Sequence, residues 1–206
     1  MKKLIIFLSC LTLLFSQNMF ADIITFDEFS ESMGTINSQD PNYMGFTWSD
    51  NWYALNVNTY ENLNDPSGYK NAVVSGEYIA CNDWTNELLV SAEPFNFEGA
   101  YFTAAWNTGL NIDVKGIKDG VALHSKTITV DCFASTWFDF NFEGIDALKF
   151  HSYGGTDHEP YAGMGEHFAI DNLTFTRNQV PEPLTFSLMF SGVILLYISR
   201  RKRNLN

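Results

Sequence analysis

Between Asp22 and Asn178 the chain has no long stretch with the 3.6-residue period of an amphipathic helix, but it has several stretches with a period of two. Leu110, Ile112 and Val114 alternate with Asn111, Asp113 and Lys115, and Val121 and Leu123 resume the pattern after Asp119-Gly120. Phe138, Phe140 and Phe142 share one face opposite Trp137, Asp139 and Asn141; Ala100, Phe102 and Ala104 form another set, and Leu148 with Phe150 a further one. A period of two puts alternate side chains on opposite faces of a strand. Asp-Gly between two such runs is a hairpin signal. The pattern slips between Leu123 and Ile128, which predicts a bulge near Ser125. Asp65-Pro66-Ser67-Gly68, Ser75-Gly76, Glu98-Gly99, Glu143-Gly144 and Gly154-Gly155 are predicted turns. Short strands at regular spacing predict an all-β, antiparallel β-sandwich. Phe-Asn-Phe-Glu-Gly occurs at 95–99 and again at 140–144, which reads as two strand ends with inward Phe pairs.

The ends differ from the body. Met1-Lys2-Lys3 is basic, Leu4 to Phe15 is apolar apart from Ser9, Cys10 and Thr12, and Ala21 precedes Asp22. Positive, apolar and then small is the order of a secretory signal peptide, expected over 1–21. Met19 at the −3 position is bulky, so the cut can fall elsewhere. A lipoprotein reading through Cys10 leaves too short an apolar run before the cysteine.

At the other end, Val180-Pro181-Glu182-Pro183 precedes sixteen largely apolar residues, Leu184 to Ser199, then Arg200-Arg201-Lys202-Arg203 and three final residues. As a helix this run reaches roughly 24 Å at about 1.5 Å per residue, against a bilayer core of about 30 Å. Snorkelling arginines and local thinning cover the difference, and the basic cluster is expected on the cytoplasmic side. The motif, the apolar helix with Gly192 and the terminal basic cluster resemble the PEP-CTERM sorting domain over residues 180–203. That resemblance implies recognition of Pro181-Glu182-Pro183 by a membrane protease, an exosortase, which removes the helix. It implies a Gram-negative, exopolysaccharide-producing host, with an inner-membrane-anchored precursor that reaches the cell surface or extracellular matrix. An ordinary single-pass anchor is the alternative. The expected order is thus a signal peptide (1–21), one β-domain (22–178) and a sorting signal (179–206).

Six basic and 23 acidic residues lie between Asp22 and Arg177, a net charge near −17. Nucleic-acid binding needs a basic footprint, so it is excluded as an expectation. Cys81 and Cys132 remain once the signal is lost. In an oxidising compartment two cysteines tend to pair, closing a loop of about fifty residues worth roughly 4 kcal/mol on a chain-entropy model; two buried thiols are the alternative.

Ile24-Thr25-Phe26-Asp27, Gly45-Phe46-Thr47-Trp48-Ser49, Ser67-Gly68-Tyr69 and Phe168-Ala169-Ile170-Asp171-Asn172-Leu173-Thr174-Phe175 resemble, in their order, jelly-roll domains of PEP-CTERM proteins and carbohydrate-binding modules. The resemblance implies that the first and last strands pair and hold a structural calcium ion. Calcium takes six to eight oxygens, and Asp27, Glu28 and Asp171 are the donors expected here. Phe168 and Ile170 are out of phase with Leu173 and Phe175, so a bulge at Asp171-Asn172 is expected to re-aim the aspartate; a cap on a turn is its alternative role.

Sugars stack on aromatic faces. Trp48, Trp52 and Tyr53, around the polar Ser49-Asp50-Asn51, are the stacking candidates expected to be exposed; Tyr43, Trp84, Trp106, Tyr153 and Tyr161 are the others. His151, His158 and His167 fall in or beside a glycine-rich loop, where a transition-metal site is the less favoured reading. No nucleophile elbow, zinc-protease helix or phosphate loop occurs. The function expected is therefore non-enzymatic: an exosortase-sorted envelope or matrix protein that binds exopolysaccharide. A polysaccharide hydrolase and a purely structural matrix protein are the alternatives.

Overall fold

The period-two segments form strands, and the strands run antiparallel. In the computed structural model of the chain the residues described are 21–59, 66–83, 86–159, 161 and 163–177. Residues 1–20 of the expected signal peptide lie outside them, as do Val180, Pro181, Glu182 and Pro183, the apolar run and Arg200, Arg201, Lys202 and Arg203.

The strands are β1 (Asp22–Ile24), β2 (Met33–Thr35), β3 (Phe46–Trp48), β4 (Trp52–Asn56), β5 (Tyr78–Asn82), β6 (Asn86–Ala104), β7 (Asn107–Thr108), β8 (Leu110–Lys118), β9 (Val121–Val130), β10 (Thr136–Tyr153), β11 (Thr156–Asp157) and β12 (Phe168–Arg177). Among the described residues two single-turn α-helices, α1 (Ile36–Gln39) and α2 (Tyr69–Ala72), and a 3-10 turn (Tyr43–Gly45) interrupt them.

Two strands are long enough to serve both layers of a sandwich. Residues 95–104 of β6 pair with β12 on one side and with 136–145 of β10 on the other. Residues 86–91 of β6 pair instead with β3 and with 147–151 of β10. The first layer therefore runs β2-β4-β5-β12-β6-β10, with β1 against the C-terminal half of β12. The second runs β3-β6-β10-β8-β9. The β6–β10 register shifts between Asp139 and Phe142, between Phe142 and Ile145, and between Ile145 and Ala147. Bulges of this kind bend a strand and let it pass from one sheet to the next.

The bend explains the repeated pentapeptide. Phe97 of one copy pairs across the strands with Phe142 of the other, and Phe97 stacks on Phe140 at 4.8 Å. The inward Phe pairs are as expected; the turns at Glu98-Gly99 and Glu143-Gly144 are not. Both dipeptides sit inside long strands. Gly99 is glycine because the Trp137 ring lies over it: a Cβ there would sit 2.5 Å from the ring and 2.5 Å from the Phe138 carbonyl oxygen. The β8–β9 hairpin forms as expected, with its slip opposite Gly116 and Ile117, which leaves Leu123 as the extra residue.

The space between the layers is filled with aromatic rings. Phe26, Phe46, Trp48, Trp52, Phe95, Phe97, Phe102, Phe150, Phe168 and Phe175 are all buried there. A smaller apolar cluster forms on the outer face of the first layer, where Leu55, Ile79, Cys81 and Ala169 meet Ala72 of α2.

Candidate functional site

Trp48 and Trp52, expected at the surface, are 1% and 0% exposed. They flank the Ser49–Asn51 turn on inward-facing positions. They meet edge-on at 5.6 Å, and Trp52 makes the same contact with Phe150 and Phe168. The Trp48 indole N–H donates to the Tyr43 carbonyl. Edge-to-face pairs add about 0.5–1.5 kcal/mol each beyond burial, so these rings are core and offer a sugar no free face. Tyr53 points the other way and is half-buried against the outer cluster. Trp84 lies outside the described residues.

The expected calcium donors are placed around one segment of backbone and a tyrosine. Asp171, fully buried, accepts the N–H groups of Val74 (2.7 Å) and Ser75 (3.0 Å) on Oδ2 and that of Asn172 (2.7 Å) on Oδ1. Asp27 Oδ1 accepts those of Glu77 (2.8 Å) and Tyr78 (3.2 Å). Gly76 lies between, where a Cβ would come within 2.0 Å of both Asp27 oxygens. Glu28 instead accepts the Tyr43 hydroxyl, which its hydrogen bond and charge, together with burial as the largest cause, push above the ordinary range. β1 does pair with β12, and the β12 bulge falls after Asp171 as its parity break required. The aspartate it re-aims caps the 74–75 backbone. Among the described residues no group of three or more His, Cys, Asp or Glu side chains is placed to hold a metal. The three carboxylates do not fit a shared calcium shell, because most of their oxygens already face N–H or O–H donors. Burial raises the Asp171 carboxyl; its three N–H donors lower it, and nearby Asp27 raises it further.

Cys81 and Cys132 are free, contrary to the expected disulfide. Cys81 faces the outer cluster and Cys132 the main core, so the sheet separates them. Burial pushes the Cys81 thiol up to about 12, with Asp83 and Glu87 adding to it, and burial also raises Cys132.

At the loop end of the sandwich, His158 meets Phe133 and Tyr161 edge-on, each at 4.7 Å. His167 faces Asn82 instead, so the loop histidines do not gather. Trp106 is covered by Gly163 and by the Tyr69 ring. A cavity of about 700 Å³ lies over Glu28, Glu31, Asp40, Tyr43 and Met44. It is an acidic groove with no exposed ring pair.

The outer face of the second layer is different. No described element lies across it. The outward positions of β8, β9 and β10 pair in rows: Tyr153 with Asn111 and Thr129, His151 with Asp113 and Thr127, Lys149 with Lys115 and Ser125. The His151 and Tyr153 rings stack at 5.5 Å and 22°, and Tyr153 is 38% exposed. Thr127 Oγ1 donates to Asp113 Oδ1 (2.6 Å), Tyr153 OH reaches the same oxygen (3.4 Å), and Thr129 Oγ1 donates to Asn111 Oδ1 (2.8 Å). Asp113, Lys115, Lys149 and His151 enclose a depression of about 140 Å³. An aromatic pair beside fixed hydroxyls, an amide and a carboxylate is suited to a polyhydroxylated ligand. The alternation places Asn111, Asp113 and Lys115 on one face, but their neighbours on β10 follow only from the strand pairing.

No protein-family model matches the sequence, and neither does any curated protein. Among solved structures, a DUF4465 family protein from Bacteroides ovatus is similar over 78% of this chain and 100% of its own, with 9% identity and a TM-score of 0.51. A DUF4465 family protein from Bacteroides caccae covers 79% of this chain and 88% of its own, at 11% identity and a TM-score of 0.49. The CBM22-1 xylan-binding domain of a Paenibacillus barcinonensis protein covers 80% and 99%, at 11% identity and a TM-score of 0.41. The likeness to the Bacteroides ovatus protein is one of fold, an all-β architecture.

Proposed function

We propose that this is an exported, non-catalytic glycan-binding protein of the cell envelope or exopolysaccharide matrix, and that the outer face of β8, β9 and β10 is its binding surface. The observation that carries the proposal is the uncovered sheet face, on which the His151–Tyr153 ring pair stands beside Asn111, Asp113, Thr127 and Thr129. Export and exosortase processing are proposed from the two ends of the chain alone. Pro181-Glu182-Pro183 is the processing motif in that account, and the basic cluster holds the precursor at the inner membrane.

The test is affinity electrophoresis of the full-length protein, in mild detergent, through gels containing glycans that include the host exopolysaccharide. Retardation by at least one glycan is expected. Tyr153→Ala should weaken it about tenfold, the size of one lost stacking contact, whereas Trp48→Phe should leave it unchanged. Undiminished retardation of Tyr153→Ala would move the site elsewhere, and no retardation by any glycan would favour a structural matrix role.

A further inference from the structure

Lys115 and Lys149 are direct partners across β8 and β10, both exposed, on the open face. Like charges directly opposite each other in an antiparallel pair are destabilising. The placement is unusual in a domain with six basic residues and 23 acidic ones. Of the four other basic groups of the domain, Lys70 is exposed on α2 and the other three have partners. Lys118 pairs with Asp146 at 3.4 Å and lies 3.9 Å from Asp119. Lys126 donates to the Asp139 carbonyl and covers the Phe140 ring. Arg177 donates to the Met44 carbonyl and lies over Phe46 and Phe175. Among the described residues neither Lys115 nor Lys149 has a carboxylate within ion-pairing distance. Asp113, which lines the same depression, has one oxygen engaged by Thr127 and Tyr153. The fold gains nothing evident from two lysines here, but an anionic ligand would.

We propose that the open face selects acidic glycans, with an anionic substituent of the sugar seated between Lys115 and Lys149 and its ring directed along β10 toward His151 and Tyr153. This rests on the glycan-binding reading of the same face. The substituent is a carboxylate, as in a uronic acid, or a sulfate ester; both present oxygens that accept charge-assisted hydrogen bonds from ammonium groups. A domain near −17 has no general attraction for a polyanion, but the Arg200–Arg203 cluster of the full chain can bind one, so the part of the retention lost on substituting Lys115 or Lys149 is what reports the local pair.

The experiment compares three immobilised probes against the full-length protein: polygalacturonate, the same polymer after carboxyl reduction, and dextran sulfate. Binding to polygalacturonate or to dextran sulfate at least about tenfold tighter than to the reduced polymer is expected, and which of the two is preferred identifies the anion. Lys115→Gln and Lys149→Gln should each remove most of that preference, lowering binding to the acidic polymers far more than to the reduced one, and leave the melting temperature equal or higher, since a repulsion is relieved; a preference that survives both substitutions would overturn the proposal. Tyr153→Ala should weaken all binding. Equal, Tyr153-dependent binding of acidic and neutral polymers would overturn the acidic preference while the glycan-binding face stands. A lowered melting temperature in Lys149→Gln would mean the fold itself needs that lysine, and would also overturn the proposal. Absence of Tyr153-dependent binding to all three probes would overturn both.

Discussion

Asp171 shows how a single side chain can be half legible. The parity break between Phe168-Ile170 and Leu173-Phe175 requires a bulge, and the register does shift after Asp171, with Asn172 at φ 50°. What the carboxylate faces depends on donors from Val74 and Ser75, almost a hundred residues earlier, and no local pattern encodes that. Its carboxyl is raised, chiefly by burial. A group whose folded value lies above its unfolded one contributes stability that is present at low pH and lost as pH rises through the folded value. The stability of the wild type relative to Asp171→Asn should therefore be greater near pH 4 than at pH 7, read as the difference in melting temperature at each pH. A difference that grows toward neutral pH would contradict the account. Trp48 and Trp52 misled for a similar reason. A polar turn lies between them, yet turn polarity describes residues 49–51 and says nothing of which way the flanking strand positions face.

Strands were legible wherever alternation ran for several residues, as in β8 and the start of β10. Long strands that change layer were not. Glu98-Gly99 looks like a turn because glycine commonly marks one, but here glycine is required by the ring packed on the strand. Gly99→Ala places a Cβ 2.5 Å from a backbone oxygen held in the β6–β10 ladder. It should destabilise by about 1–3 kcal/mol, as overpacking does, read from the urea midpoint. An unchanged midpoint would show that the two strands separate easily at the bend. The short helices α1 and α2 left no periodic trace because one turn is too brief to show a period.

At the scale of the molecule, composition and alternation point to an all-β fold with an aromatic core, but they do not say which sheet face is left bare. That follows from α2 and the 73–78 segment packing on the first layer. Among the described residues nothing lies across the outer face of the second layer, and its rows of paired residues become a surface only when β8 and β10 lie side by side. Hydroxyl-radical footprinting of the full-length protein, with and without the glycan that retards it most, tests this directly. Protection is predicted at His151 and Tyr153, with Phe133 and Met164, exposed at 54% and 73%, oxidised equally in both states. Protection at Phe133 or Met164 with none at Tyr153 would contradict the assignment of the open face as the binding surface.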